Sequence, residues 1–165
     1  RTLALELAIL ALGIGSGDEI IVSPRTFIAS ASSIVACGAT PRFAEVESDS
    51  GNLSPADVER RVTPRTRGIL LVHLGGWPCD MDAFRAIAEE QNLFLIEDCA
   101  QAHGARWDSD VVGSFGDASA FSFCTDKIIS TGGEGGMLLL DDDDAWEAGV
   151  VNQGPWQVMG CRLQP

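Results

Sequence analysis

The sequence predicts an α/β fold: a mostly parallel sheet flanked by helices. Three observations carry this expectation. Helical and strand-like segments alternate almost throughout the chain. The apolar runs 68–74 and 93–96 are continuous rather than alternating, the pattern of strands buried on both faces. The composition, 45% hydrophobic and 21% charged over 165 residues, suits one globular domain with a sizeable core.

Residues 2–12 read as a helix ended by Gly13, and Gly15, Gly17 and Asp18 make a turn. Residues 19–23 form a short apolar strand, and Pro24 opens the next loop. Residues 28–36 form a helix of small residues closed near Gly38. Residues 41–46 alternate like a strand. Ser54-Pro55 starts a helix with serine as the cap and proline at the first position, running to Arg61 before the Thr63-Pro64 turn. The strand 68–74 follows. Asp82 to Gln91 is helical, with Asn92 as a left-handed stop. The strand 93–96 ends at Glu97-Asp98. Residues 118–123 form a strand running into Lys127, the glycine-rich turn 132–136 precedes a strand over 137–140, and Asp141 to Asp144 open an acidic helix. No repeat or Pro/Ser-rich linker divides the chain.

Acidic side chains number 24 against 11 basic ones, a formal charge of −13, which disfavours a nucleic-acid partner. No stretch reaches the roughly 20 apolar residues of a membrane span, and the opening residues lack a signal-peptide pattern, so a cytoplasmic location is expected. The cysteines Cys37, Cys79, Cys99, Cys124 and Cys161 are odd in number and none are spaced C-x-x-C. Reduced, mostly buried thiols are expected, with neither a disulfide framework nor a metal site. Ten of the 11 basic residues are arginine, and the single lysine is Lys127. Arginine replaces lysine as a surface charge, but it cannot form a Schiff base.

In open parallel sheets, ligands bind beyond the carboxyl ends of the strands. That rule selects Asp98, Ser122, Lys127 and Phe27. Each also has a plainer reading: Asp98 as a turn former, Ser122 as a small residue facing a helix, Lys127 as a surface charge, Phe27 as core. Together, an amine, a carboxylate and a hydroxyl are what pyridoxal phosphate needs: the lysine forms an imine, the carboxylate pairs with the protonated ring nitrogen, and hydroxyls with backbone N–H groups hold the phosphate. The run Gly13-x-Gly15-x-Gly17 is not a dinucleotide fingerprint, because it follows a helix, precedes a strand and has the wrong spacing.

The segment Phe121-Ser122-Phe123-Cys124-Thr125-Asp126-Lys127 with Gly133-Glu134-Gly135-Gly136 resembles the lysine segment of the DegT/DnrJ/StrS sugar aminotransferases. Residues 13–22 with Thr26-Phe27-Ile28-Ala29, Val72-His73-Leu74 with Asp80-Met81-Asp82, and residues 96–104 resemble the same family, in the right order over about residues 2–146. The resemblance implies an aspartate-aminotransferase-like (fold type I) large domain with pyridoxal 5'-phosphate as cofactor. It implies that Lys127 carries the cofactor, Asp98 pairs with its ring nitrogen, Gln101 lies near its phenolic oxygen, Ser122 and the Thr2 backbone amide hold its phosphate, and Phe27 stacks on its ring. Roles for His73 and His103 stay open between functional and structural.

The implied reaction moves an amino group from an amino acid, usually L-glutamate, to a keto sugar, usually nucleotide-linked, in polysaccharide or secondary-metabolite biosynthesis. A related branch with histidine in place of the lysine performs dehydration, so Lys127 favours transamination. Family members are homodimers more than twice this length. After Trp146 the sequence departs from the family pattern. The expected organisation is therefore an incomplete large domain over 1–146, truncated at its start, then a divergent tail over 147–165 with the small domain absent. The rival reading is a non-catalytic cofactor-binding domain or an inactive fragment, against which the retained Lys127 and Asp98 weigh.

Overall fold

A computed structural model describes residues 2–141. The elements run α1 (Thr2–Ala11), β1 (Glu19–Val22), α2 (Ala29–Ala36), β2 (Thr40–Phe43), α3 (Pro55–Arg61), β3 (Thr66–Val72), α4 (Met81–Gln91), β4 (Phe94–Asp98), β5 (Arg106–Trp107), β6 (Asp110–Val111), β7 (Ala118–Ser122) and β8 (Gly136–Leu140), with a 3₁₀ turn over Leu74–Gly76 between β3 and α4. Six strands form one sheet in the order β2-β1-β3-β4-β7-β8. The first five are mutually parallel, so their carboxyl ends share one edge.

Strand alternation divides the core into two layers. Ile20, Val22, Leu70, Val72, Ile96, Ala118 and Ala120 pack with Leu5 and Ile9 of α1 and Ile34 of α2. Ile21, Ile69, Leu71 and Leu95 pack on the other face with Val58 of α3 and Phe84 and Ile87 of α4. This is the burial expected of the continuous apolar runs. Asp98 follows Ile96 by two residues and Ser122 follows Ala120 by two, so both lie on the α1/α2 face, at the carboxyl edge. Ile14, just beyond α1, packs at the opposite edge, where a Cβ on Gly68 would lie 3.5 Å from Ile14 Cδ1 and 3.1 Å from Phe94 O. Helix α1 therefore runs against the strands, and Thr2 at its start lies toward the carboxyl edge.

Strand β8 pairs antiparallel to β7, across the glycine-rich turn that the sequence predicts before it. Several local expectations need correction. Strand β2 ends at Phe43 rather than Val46. Ser54 occupies the cap position of α3 but makes no side-chain cap bond; Asp57 in the first turn instead accepts the Glu45 N–H and pairs with Arg60 and Arg61. Helix α4 begins at Met81, one residue early, because Asp80 caps it by accepting the Ala83 N–H at 3.0 Å. The two-residue ribbon β5–β6 carries no sequence period to detect. Asn92 does end α4 in the left-handed region at φ 52°. The acidic helix start beyond Asp141, Cys161 and the tail 147–165 lie outside the described residues.

Candidate active site at the carboxyl edge of the sheet

Asp98 ends β4 with its side chain buried. Its Oδ2 accepts the Ser30 hydroxyl at 2.8 Å and its Oδ1 accepts the Ala100 N–H at 3.2 Å. Ser30 Oγ also lies 2.8 Å from Thr26 Oγ1. A hydroxyl has one hydrogen, and Ser30 gives its own to the carboxylate, so Thr26 donates to Ser30. The result is a directed chain, Thr26 to Ser30 to Asp98, ending on a buried anion. Ser30 went unnoticed in the sequence because 68 residues separate it from Asp98, and α2 carries Ser32 and Ser33 as well, so nothing local singles it out.

Thr26, Phe27, Leu74, Asp98 and Gln101 line a small pocket there. Phe27 is not core: it is 62% exposed, and its ring borders the pocket. Gln101 Oε1 accepts the Gly75 N–H at 2.8 Å. That bond assigns the amide orientation and leaves the NH2 group as the end that can donate elsewhere.

Ser122 is buried at the end of β7, two residues beyond Ala120, which pairs with Asp98. Strand geometry then sets the Cα atoms of Ser122 and Asp98 roughly 8 Å apart on one face. Lys127 lies in the loop joining β7 to β8, at this same edge. Its side chain is 15% exposed, and Nζ donates to Asp126 Oδ2 at 2.9 Å. Asp126 is held below its ordinary pKa by that bond and by one with Cys124. The amine is not among the pocket-lining groups: a cation takes the nearest carboxylate, and Asp126 is its chain neighbour. Thr2 is exposed at the start of α1. Thus Asp98, Phe27 and Gln101 share the pocket, Ser122 shares the face and edge, and Lys127 shares the edge alone.

The histidines differ. Both ring nitrogens of His103 are covered without a hydrogen-bond partner, and the ring packs 5.7 Å from Phe121 and 5.5 Å from Phe123. His73 is fully buried; its Nδ1 accepts the Cys79 N–H at 3.1 Å, so Nε2 carries the proton and donates to Glu97 Oε2 at 3.0 Å. Glu97 also accepts the N–H groups of Gly113, Phe115 and Gly116. Burial would raise its pKa, but His73 and the Gly113 and Gly116 N–H groups prevail and hold it below 4.5. His73, Glu97 and Cys99 place ligand-type atoms within 4.8 Å of one another, a grouping that sequence spacing conceals. Yet both His73 nitrogens are committed, Glu97 accepts four donors, and burial keeps the Cys99 thiol protonated. The cluster is an anchor rather than a ligand set. Cys37, Cys79, Cys99 and Cys124, the described cysteines, are free thiols. No described helix is long and apolar enough to cross a membrane.

Known proteins resemble this chain closely. It is 47% identical over 146 residues to a GDP-perosamine synthase of Escherichia coli O157:H7, covering 88% of this chain and 40% of that protein. An aminotransferase structure from Psychrobacter cryohalolentis superposes with a TM-score of 0.88 at 54% identity, over 90% of this chain and 38% of that one. The structure of NtdA from Bacillus subtilis with bound cofactor PMP superposes with a TM-score of 0.85 at 29% identity, over 96% of this chain and 37% of that one. The chain thus spans about 40% of the length of the curated relative it matches. Residues 1–153 match the DegT/DnrJ/EryC1/StrS aminotransferase family, and the chain belongs to that family.

Proposed function

We propose that this chain is the cofactor-binding part of a pyridoxal-phosphate-dependent sugar aminotransferase, which passes an amino group from an amino acid, L-glutamate, to a nucleotide-linked keto sugar. The observation that carries this reading is the pocket in which buried Asp98 meets Gln101 and Phe27. A relative named as a GDP-sugar synthase and a neighbour holding PMP support it.

The residues present fit the group. Asp98, a buried carboxylate lining the pocket, would accept a ring N–H and, by its charge, keep that proton in place. The Gln101 NH2 group donates to the ring oxygen. Phe27 covers one face of the ring and excludes water. Ser122 Oγ and the first N–H groups of α1 bind the phosphate. When bound, pyridoxal phosphate supplies an aldehyde carbon and an electron-withdrawing ring. Lys127 Nζ would hold that carbon, and as a free amine would carry a proton from the donor's α-carbon to the cofactor's carbon. To do so it must leave Asp126. The full-length protein, on this reading, is a cytoplasmic homodimer that binds no nucleic acid. The chain's own part is residues 1–146, with 147–165 a divergent tail.

Adding pyridoxal phosphate should generate a visible absorbance band, and borohydride reduction should add the cofactor mass to the peptide containing Lys127. No band, or an adduct elsewhere, overturns the assignment.

A further inference from the structure

We infer that Asn52 is a positioning residue for Gln101, acting through the turn at Leu74–Gly76; this deepens the cofactor reading above and rests on it. A glutamine amide can present either end to a ligand, and only the NH2 end donates to an anionic oxygen. The Gly75 N–H, 2.8 Å from Gln101 Oε1, makes that choice. Gly75 and Gly76 are both left-handed, at φ 62° and 85°, and a Cβ on Gly76 would come within 3.1 Å of the Gln101 carbonyl oxygen. The turn is therefore tight against Gln101; its own backbone bonds, Gly76 N–H to His73 O and Trp77 N–H to Leu74 O, close it but do not tie it to the rest of the fold beyond His73.

Asn52 supplies the restraint from a distant segment. It is 3% exposed, on the loop between β2 and α3. Its Oδ1 accepts the Leu74 N–H at 3.1 Å, and its Nδ2 donates to Trp77 O at 2.9 Å and Pro78 O at 3.0 Å. One side chain thus grips both ends of the turn whose middle amide orients Gln101. Asn52 is itself fixed by its own backbone, which donates to Ser50 Oγ and accepts from the Glu47 N–H. No other side chain has a described hydrogen bond to residues 74–78 apart from Gln101 itself.

The test compares the parent chain with Asn52→Ala, Gln101→Ala and the double variant. Asn52→Asp, isosteric and keeping only the Leu74 bond, replaces Asn52→Ala should the latter fail to fold. In the cofactor-free chain, Gly75 amide exchange should quicken about three- to tenfold in the Asn52 variant, matching loss of one net hydrogen bond. With pyridoxal phosphate added, the visible band of the Asn52 variant should shift in the same direction as that of Gln101→Ala, and the double variant should match Gln101→Ala alone. Faster unfolding with an unchanged band would assign Asn52 a structural role only and overturn the inference. So would additive shifts in the double variant, or unchanged Gly75 exchange. Absence of any band in the parent chain defeats the cofactor reading instead, and Gly75 exchange alone then decides whether Asn52 holds the turn.

Discussion

Glu97→Gln should be among the most destabilising single substitutions in this chain, although it changes one atom. The carboxylate is fully buried and each oxygen accepts two bonds: Oε1 from Phe115 and Gly116 at 2.9 and 2.8 Å, Oε2 from Gly113 and His73 at 2.7 and 3.0 Å. A glutamine retains one oxygen, so two of the four donors would face an NH2 group. Rotating the amide only exchanges which pair suffers. His73 cannot relieve it by moving its proton, because Nδ1 is taken by the Cys79 N–H. Two stranded buried donors, with the other two now bonded to a neutral rather than a charged acceptor, cost about 3–5 kcal/mol. At about 2.1 cal/mol/K per residue that is a fall in Tm of roughly 9–14 °C. Urea unfolding at neutral pH measures it. The Glu97 pKa lies below its ordinary 4.5 in the folded chain. Its stabilisation is therefore present above that value and lost as pH falls through the folded pKa, so the gap between parent and variant should narrow in acid. A loss under about 1 kcal/mol at neutral pH, against the range expected for unpaired buried groups, would refute the four-donor account.

Three further outcomes are expected. Gly116→Ala should destabilise by about 1–3 kcal/mol in a thermal melt, because the new Cβ would fall 2.5 Å from the Leu95 carbonyl oxygen, a backbone atom that cannot swing aside. Asp57 is held far below its ordinary 3.8 by the Glu45 N–H and by Arg61; its contribution is complete above that value and lost in acid, so Asp57→Asn should flatten the decline in urea midpoint as pH falls below 4. Ser30→Ala removes the donor to Asp98 Oδ2 and should weaken pyridoxal phosphate binding about five- to tenfold by absorbance titration, with little change in Tm beyond that of an ordinary buried hydroxyl.

The elements most legible in the sequence were those whose side chains face one environment. Strands β3 and β4 are apolar because both faces are covered, and α4 announces its end, with Asn92 acting on its own backbone neighbourhood. Asp98 and Ser122 could be placed at the edge because an apolar run stops there. Hydrogen bonds between distant segments left no such trace. Ser30 and Asn52 are small polar residues in ordinary local sequence, and their importance comes from Asp98 and from the 74–78 turn, far along the chain. The glycine-rich run 132–136 was legible as a turn before β8, and the strand does turn back there, antiparallel to β7. Lys127 was legible as the one amine, but not its pairing with Asp126, since adjacent opposite charges read equally well as a solvated surface.

The adjacent acids Glu97 and Asp98 show how one strand end serves two purposes. Side chains alternate across a sheet, so consecutive residues must face opposite layers. Glu97 turns to the α3/α4 side, where three loop N–H groups and His73 saturate it. Asp98 turns to the α1/α2 side, into the pocket, where the Ser30 hydroxyl and the Ala100 N–H are among the groups that orient it. Place separates their roles. Glu97, saturated by four donors and outside the pocket lining, holds the 113–116 loop and β3 to β4. Asp98 lines the pocket and puts its carboxylate where a ligand binds. The anchored acid also stiffens the strand end from which the other projects, because the His73 N–H donates to the Asp98 carbonyl oxygen at 3.3 Å. A change at Glu97 should therefore reach the pocket through the backbone, and Asp98→Asn should alter ligand binding without unfolding the loop that Glu97 holds.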